Sequence, residues 1–168
     1  MLTSVRKPSF EWGKKTFIMG IINLSLDSFS GDGLLVPELV LGKLEQFLES
    51  GVDLLDIGAQ STRPGHEEIS IEEEISRLDS VLSLIRSRTD LPISLDTYRS
   101  EVVVYGLNNG VNIINDVWGL KKDRAIASLV ADHDATIILM HNQNGTGYND
   151  LMEDIKLSLS ESVNVALN

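Results

Sequence analysis

The sequence predicts an α/β fold built on a parallel sheet, and three features of the chain point there. Five short apolar runs alternate with five longer stretches in which apolar residues recur at helical spacing. The short runs are rich in β-branched residues, as strands of a parallel sheet covered on both faces are. Successive runs begin roughly 20 to 40 residues apart, which suits a βα unit. No linker, low-complexity tract or internal repeat interrupts the alternation, so the 168 residues read as one domain, 1–168.

Phe10 to Phe17 (FEWGKKTF) reads as a short hairpin turning at Gly13-Lys14, a plug or lid packed on the domain. Phe17 to Ile22 (FIMGII) is the first strand, ending at Asn23 before a Ser/Asp/Gly-rich loop. The first helix starts near Pro37, suited to a first-turn position. It carries Val40, Leu44, Phe47 and Leu48 on one face and stops at Gly51, suited to a left-handed cap. Leu54 to Gly58 is the second strand. Ser70 and Glu73 form an S-x-x-E capping box that opens a helix with Ile71, Ile75, Leu78, Leu82 and Ile85 in one stripe. Ile93 to Leu95 is the third strand, ending on Asp96-Thr97, and a helix from about Ser100 runs to Gly110. Val111 to Ile114 is the fourth, ending on Asn115-Asp116, followed by a helix around Ala125 to Val130. Thr136 to Met140 is the fifth, ending on His141. A polar loop then leads to a last helix with Leu151, Ile155, Leu159 and Val163.

Composition narrows the function. A net charge of −11 argues against a nucleic-acid partner, which needs a basic face. It also requires any anion site to be made locally, from Arg63, helix N-termini or a bound cation. No apolar run reaches the roughly 18 to 20 residues of a membrane span. The N-terminus lacks the apolar run and small-residue cleavage site of a secretory signal. The absence of cysteine excludes disulfide and thiolate chemistry. A cytoplasmic location is the expectation.

In parallel α/β folds the site lies at the carboxyl ends of the strands. Here those ends carry Asn23, Thr62 with Arg63, Asp96, Asn115 and His141. Each has an ordinary alternative: Asp96 as a helix N-cap, Asn115 as a turn residue, His141 as a structural hydrogen-bonder, Arg63 as a surface cation. Taken together they suggest one convergent site. A carboxylate only accepts hydrogen bonds, while an amide both donates and accepts. Asp96 with Asn115 therefore fits a flat heterocycle edge such as a 2-amino-pyrimidinone. Thr62 and Arg63, in the polar stretch DIGAQSTRPG, fit a phosphate. Asn23, with Asp27 and Asp32 in the loop behind it, fits Mg²⁺ through oxygen ligands and water.

The segments MGIINLSLDSFS (Met19 to Ser30), DIGAQSTRPG (Asp56 to Gly65), SLDTYRSEV (Ser94 to Val102), INDVWGL (Ile114 to Leu120) and LMH (Leu139 to His141) together resemble the dihydropteroate synthase family. The resemblance covers nearly the whole chain. It implies a (β/α)8 TIM barrel, here its first five βα units preceded by the N-terminal hairpin. It also implies the family's reaction, which joins 6-hydroxymethyl-7,8-dihydropterin diphosphate to 4-aminobenzoate with release of pyrophosphate and is the target of sulfonamides. Carried over by position, Arg63 and Asp96 are the catalytic candidates. Asp96 and Asn115 become contacts to the pterin edge, with Met140 against the ring. Thr62 and Arg63 lie near the diphosphate and the aminobenzoate, and Phe29 and Pro64 wall the aminobenzoate pocket. Asn23 becomes the contact to Mg²⁺ and diphosphate. A homodimer is implied for a full-length member.

Several residues depart from the family pattern. Leu26 stands where a proline is usual, Gly31-Asp32-Gly33 shifts an acid by one position, Ala59-Gln60 replaces Gly-Glu, and Trp118 replaces a small residue. A complete barrel takes about 250 residues. The 168 residues are therefore expected to be a C-terminally truncated pterin-binding domain, inactive or nearly so alone. Two other readings stay open: a methyltetrahydrofolate-binding methyltransferase domain of the same barrel type, and a non-catalytic pterin-binding fragment.

Overall fold

The structure is a computed structural model that describes residues 10–11, 13–24, 36–61 and 68–168. Its centre is a five-stranded parallel sheet in the order β1-β2-β3-β4-β5, with strands Met19–Asn23, Leu54–Gly58, Ile93–Asp96, Ile113–Asp116 and Thr136–Leu139. Helices α1 (Pro37–Ser50), α2 (Ile71–Arg88), α3 (Ser100–Asn108), α4 (Ala125–Asp132) and α5 (Leu151–Leu167) alternate with the strands. Each helix packs against the next. A sequential strand order with crossovers of one hand places every helix on the same face of the sheet. The expected cover on both faces is thus present on one only among the described residues.

The helix starts and stops follow local chemistry. Pro37 occupies the first turn of α1, and Gly51 ends it with a φ of 73°, donating its N–H to the Leu48 carbonyl. The Ser70 hydroxyl accepts from the Glu73 N–H at 3.2 Å and opens α2. The reciprocal half of the box is replaced, because the Glu73 carboxylate accepts from Arg77 Nε at 2.8 Å instead. Asp150 caps α5, accepting from the N–H groups of Met152 and Glu153. Helix α3 lies close on β3 because Gly106 has no side chain: a Cβ there would sit 2.4 Å from Leu95 Cδ2.

Alternation along the strands separates the two faces. Ile22, Leu55, Ile57, Ile93, Leu95 and Ile114 point to the helices and form the core with Leu44, Leu78, Leu82, Ile85 and Val103. The other face carries two rows in register. The lower is Ile21, Asp56, Ser94, Ile113, Thr136, and the upper is Asn23, Gly58, Asp96, Asn115, Ile138. Ile21 is 49% exposed and Ile138 38%, so the ends of both rows are open to solvent.

Two elements differ from the sequence expectation. Residues 10–17 form a turn rather than a hairpin among the described residues: Lys14 N–H donates to the Glu11 carbonyl, and the Phe10 and Phe17 rings meet edge-on at 5.0 Å. The strand ladder is missing because the segment bonds to the sheet instead. Lys15 pairs with Asp53, and Ile18 N–H donates to Asp53 Oδ2 at 2.9 Å. The second difference is β4, which runs two residues later than expected. Val111 N–H still belongs to the end of α3, donating to the Gly106 carbonyl. Asn112 brackets Ile93, its N–H donating to the Ile93 carbonyl and its Oδ1 accepting from the Ile93 N–H. Asn115 and Asp116 therefore lie inside the strand rather than beyond it.

Candidate functional site

The upper row of the helix-free face supplies the site. Strand pairing sets Asn23, Gly58, Asp96 and Asn115 side by side at the carboxyl end of the sheet. A Cβ on Gly58 would lie 3.5 Å from Asp96 Cβ, 3.6 Å from Asp96 Oδ2 and 3.7 Å from Asn23 Oδ1. The missing side chain thus leaves a gap flanked by an amide oxygen and a carboxyl group.

Asp96 is the most perturbed group in this row. Its Oδ1 is buried and has no hydrogen-bond partner among the described residues. Burial, reinforced by the neighbouring Asp56, Glu74 and Asp116 carboxyls, pushes its pKa up to about 8. Asn115 is anchored from below, donating from Nδ2 to Asp56 Oδ1 at 3.4 Å. Asp56 itself is 4% exposed; burial raises its pKa, opposed by the Ser94 and Asn115 side chains. Asp116, one residue on, has the opposite parity and serves the backbone, accepting from the N–H groups of Trp118 and Leu120.

Met140 follows β5 and is 43% exposed, two residues after Ile138 and so on the same side. His141 does not join the row. Its Nδ1 lies 2.8 Å from Ser158 Oγ and its Nε2 3.1 Å from the Tyr148 hydroxyl, which fastens the loop to α5. Thr62, Arg63, Pro64 and Phe29 lie outside the described residues, as do Asp27 and Asp32.

The described flanks of that second loop are held at the exit of β3. Gln60 Nε2 donates to the Tyr98 hydroxyl at 2.6 Å, and that hydroxyl donates to Glu68 Oε1 at 3.4 Å. Arg99 Nη1 donates to the Ile69 carbonyl at 2.9 Å and to Glu74 Oε2 at 3.0 Å. Glu74 is 2% exposed and also accepts from the Thr97 hydroxyl at 2.9 Å. Arg77 Nη1 donates to the Ala59 and Leu24 carbonyls, joining the ends of β1 and β2. Both arginines are thereby committed to the protein's own carbonyls and carboxylates rather than to a ligand anion.

Asp56 lies inside β2 rather than at its end, so the positions of the strand ends do not reveal it. Its signal was present: a carboxylate between apolar residues of LLDIG, two positions before Gly58. Ser94 in ISLD and Asn115 in IIND mark the same face of their strands. As for metal chemistry, no group of three or more His, Cys, Asp or Glu side chains able to hold an ion occurs among the described residues. Asn23 offers one neutral oxygen, which fits an ion that keeps water and phosphate oxygens for most of its shell.

A family model described as pterin binding enzyme matches residues 19–168. The dihydropteroate synthase of Clostridium beijerinckii is 41% identical over 158 residues, covering 94% of this chain and 59% of that protein. The dihydropteroate synthase of Bacillus subtilis is 41% identical over 163 residues, covering 96% and 57%. A crystal structure of dihydropteroate synthase from Clostridium difficile with pteroic acid superposes with a TM-score of 0.87 at 40% identity, covering 95% of this chain and 61% of that one. The Xanthomonas albilineans dihydropteroate synthase with 4-aminobenzoic acid gives a TM-score of 0.77 at 34% identity, covering 91% and 56%. The chain therefore spans somewhat under three fifths of the length of these curated relatives. Its five parallel βα units are those of a partial TIM barrel, the helix-free face being the barrel interior. On the match over residues 19–168, and on a fold shared with these structures, the chain belongs to the pterin binding enzyme family.

Proposed function

We propose that the chain is the pterin-gripping part of a dihydropteroate synthase, which condenses 6-hydroxymethyl-7,8-dihydropterin diphosphate with 4-aminobenzoate. The observation that carries this reading is the row Asn23, Asp96, Asn115 with the buried, unpartnered Asp96 Oδ1 beside the Gly58 gap. A buried acceptor without a donor is costly, and a ligand edge bearing N–H groups satisfies it. Relatives whose structures contain pteroic acid and 4-aminobenzoic acid supply the ligand class.

Asp96 and Asn115 hold the heterocycle edge in this reading, and Met140 covers the ring. The bond between the pterin methylene carbon and the diphosphate oxygen breaks first, and the electron pair leaves with the diphosphate. Positive charge then spreads over the ring. The carboxyls of Asp56 and Asp96 lie on that face; ligand N–H donors favour the ionised form of Asp96, and the ionised carboxyls favour the charge as it develops. The amine nitrogen of 4-aminobenzoate attacks the methylene carbon and loses a proton to solvent. No protein nucleophile is required. Thr62 and Arg63 receive the diphosphate, Phe29 and Pro64 hold the amine for attack, and orientation supplies much of the rate. The Asn23 amide oxygen would hold Mg²⁺, which would supply neutralisation of the leaving group's charge.

Calorimetric titration tests the reading. Pterin diphosphate with Mg²⁺ should bind first, and 4-aminobenzoate only after diphosphate is present. Amine binding that ignores diphosphate, or indifference to the pterin, overturns it.

A further inference from the structure

We infer that Asp56 is a positioning residue: it holds the Asn115 amide in one orientation and thereby fixes the donor–acceptor polarity that the site reads along a heterocycle edge. The inference rests on the pterin reading above and extends it to a residue one row below the proposed ligand contacts. Asp56 sits one row below the site, on β2, and Asn115 sits in the upper row on β4; Ser94 of β3 lies between their strands. Gly58, directly above Asp56 on the same face, has no side chain to stand between them. The contact runs from Asn115 Nδ2 to Asp56 Oδ1 at 3.4 Å, and Asp56 is 4% exposed, so water does not compete for the carboxylate.

An amide is nearly symmetric in shape but opposite in polarity at its two ends. Left free, Asn115 could turn either end to a ligand and accept edges of either polarity. An ionised carboxylate only accepts hydrogen bonds, so beside Asp56 the NH₂ end is the one held down. The amide oxygen and one N–H are then left for the ligand. A 2-amino-4-oxopteridine and a 2,4-dioxopteridine have the same outline but opposite polarity at ring position 1 and its neighbouring substituent. A locked amide tells them apart, and a free one does so poorly.

The test uses Asp56→Asn, which keeps size but offers an oxygen or an NH₂ to Asn115. Dissociation constants for pterin and for lumazine, its 2,4-dioxo counterpart, are measured at pH 8 in wild type and variant. The preference for pterin is expected to fall about tenfold. A merely structural role would weaken both ligands alike, and an unchanged ratio overturns the inference. A second measurement covers failure of the variant to fold. Hydrogen exchange of the Asn115 side-chain NH₂ in wild-type protein, followed by NMR, should be slow compared with that of exposed Asn144. Equal exchange overturns the lock. If wild type binds neither pteridine, the functional reading fails while the exchange rates still decide the role of Asp56.

Discussion

Asp96 is a buried carboxyl group with one oxygen that no described residue satisfies. Its pKa of about 8 exceeds the ordinary 3.8, so the folded state binds this proton more tightly than the unfolded chain. Folding stability then falls as pH rises from the ordinary value to about 8 and is flat above it, once both states are ionised. Asp96→Asn has no proton to lose. It should match wild type near pH 4 and exceed it at pH 8 by on the order of a few kcal/mol, with pterin binding lost. Urea denaturation at the two pH values measures the difference, and equal stability at pH 8 would show that Asp96 is better solvated than its surroundings imply. Gly58 gives a second expectation at this scale. Its φ is ordinary and the contacts of an added Cβ lie at 3.5 to 3.7 Å, so Gly58→Ala should fold with stability unchanged or raised by about 0.4–1 kcal/mol. Gly58→Leu fills the gap between Asn23 and Asp96 and should abolish pterin binding, as a titration of each variant will show.

At the scale of elements, the exits of β1, β2 and β3 are tied together by two arginines of different standing. Arg77 is replaceable in charge terms, because its partner Glu73 is half exposed. Arg99 is not, because it faces Glu74 in the interior. Burial raises the Glu74 pKa, while the Thr97 hydroxyl and the Arg99 charge oppose the shift. Removing the guanidinium leaves a buried carboxylate with one hydroxyl, so Arg99→Ala should cost about 3–5 kcal/mol. Arg77→Ala, losing a partly exposed pair and its bonds to the Ala59 and Leu24 carbonyls but stranding no buried charge, should cost less; thermal denaturation of both variants compares them. These elements also show what the sequence made legible. The starts of α1 and α2 are written locally, in Pro37 and in Ser70 with Glu73, and both stand where the residues say. The start of β4 is not local. It depends on Val111 and Asn112 bonding back to α3 and β3, which a run of apolar letters does not reveal. The face that each polar residue takes is legible only once register is known. Asn23, Asp96 and Asn115 could be collected as strand ends, whereas Asp56 hid inside an apolar strand and His141 turned toward α5.

At the scale of the whole molecule, charge and exposure set the last expectation. The chain carries a net charge of −11, and the reaction proposed for it expels a diphosphate. Arg77 and Arg99 are committed to Glu73, Glu74 and backbone carbonyls, so neither is free to meet that leaving group. The helix-free face instead carries two carboxyls, which when ionised would help a ring cation form but repel the departing anion. Under the proposed reading, local neutralisation would fall to Arg63 and to Mg²⁺. A group that stabilises such a leaving charge is worth a rate factor on the order of a hundred to a thousand. The 168-residue polypeptide alone should therefore bind pterin yet form dihydropteroate at least about a thousandfold more slowly than the Bacillus subtilis relative assayed beside it. The same open face, with Ile21, Ile138 and Met140 exposed, should bind a fluorescent apolar dye. A turnover rate close to that of the relative would mean that Arg63 and the metal suffice, and that the acidic field of this face is no obstacle to diphosphate departure.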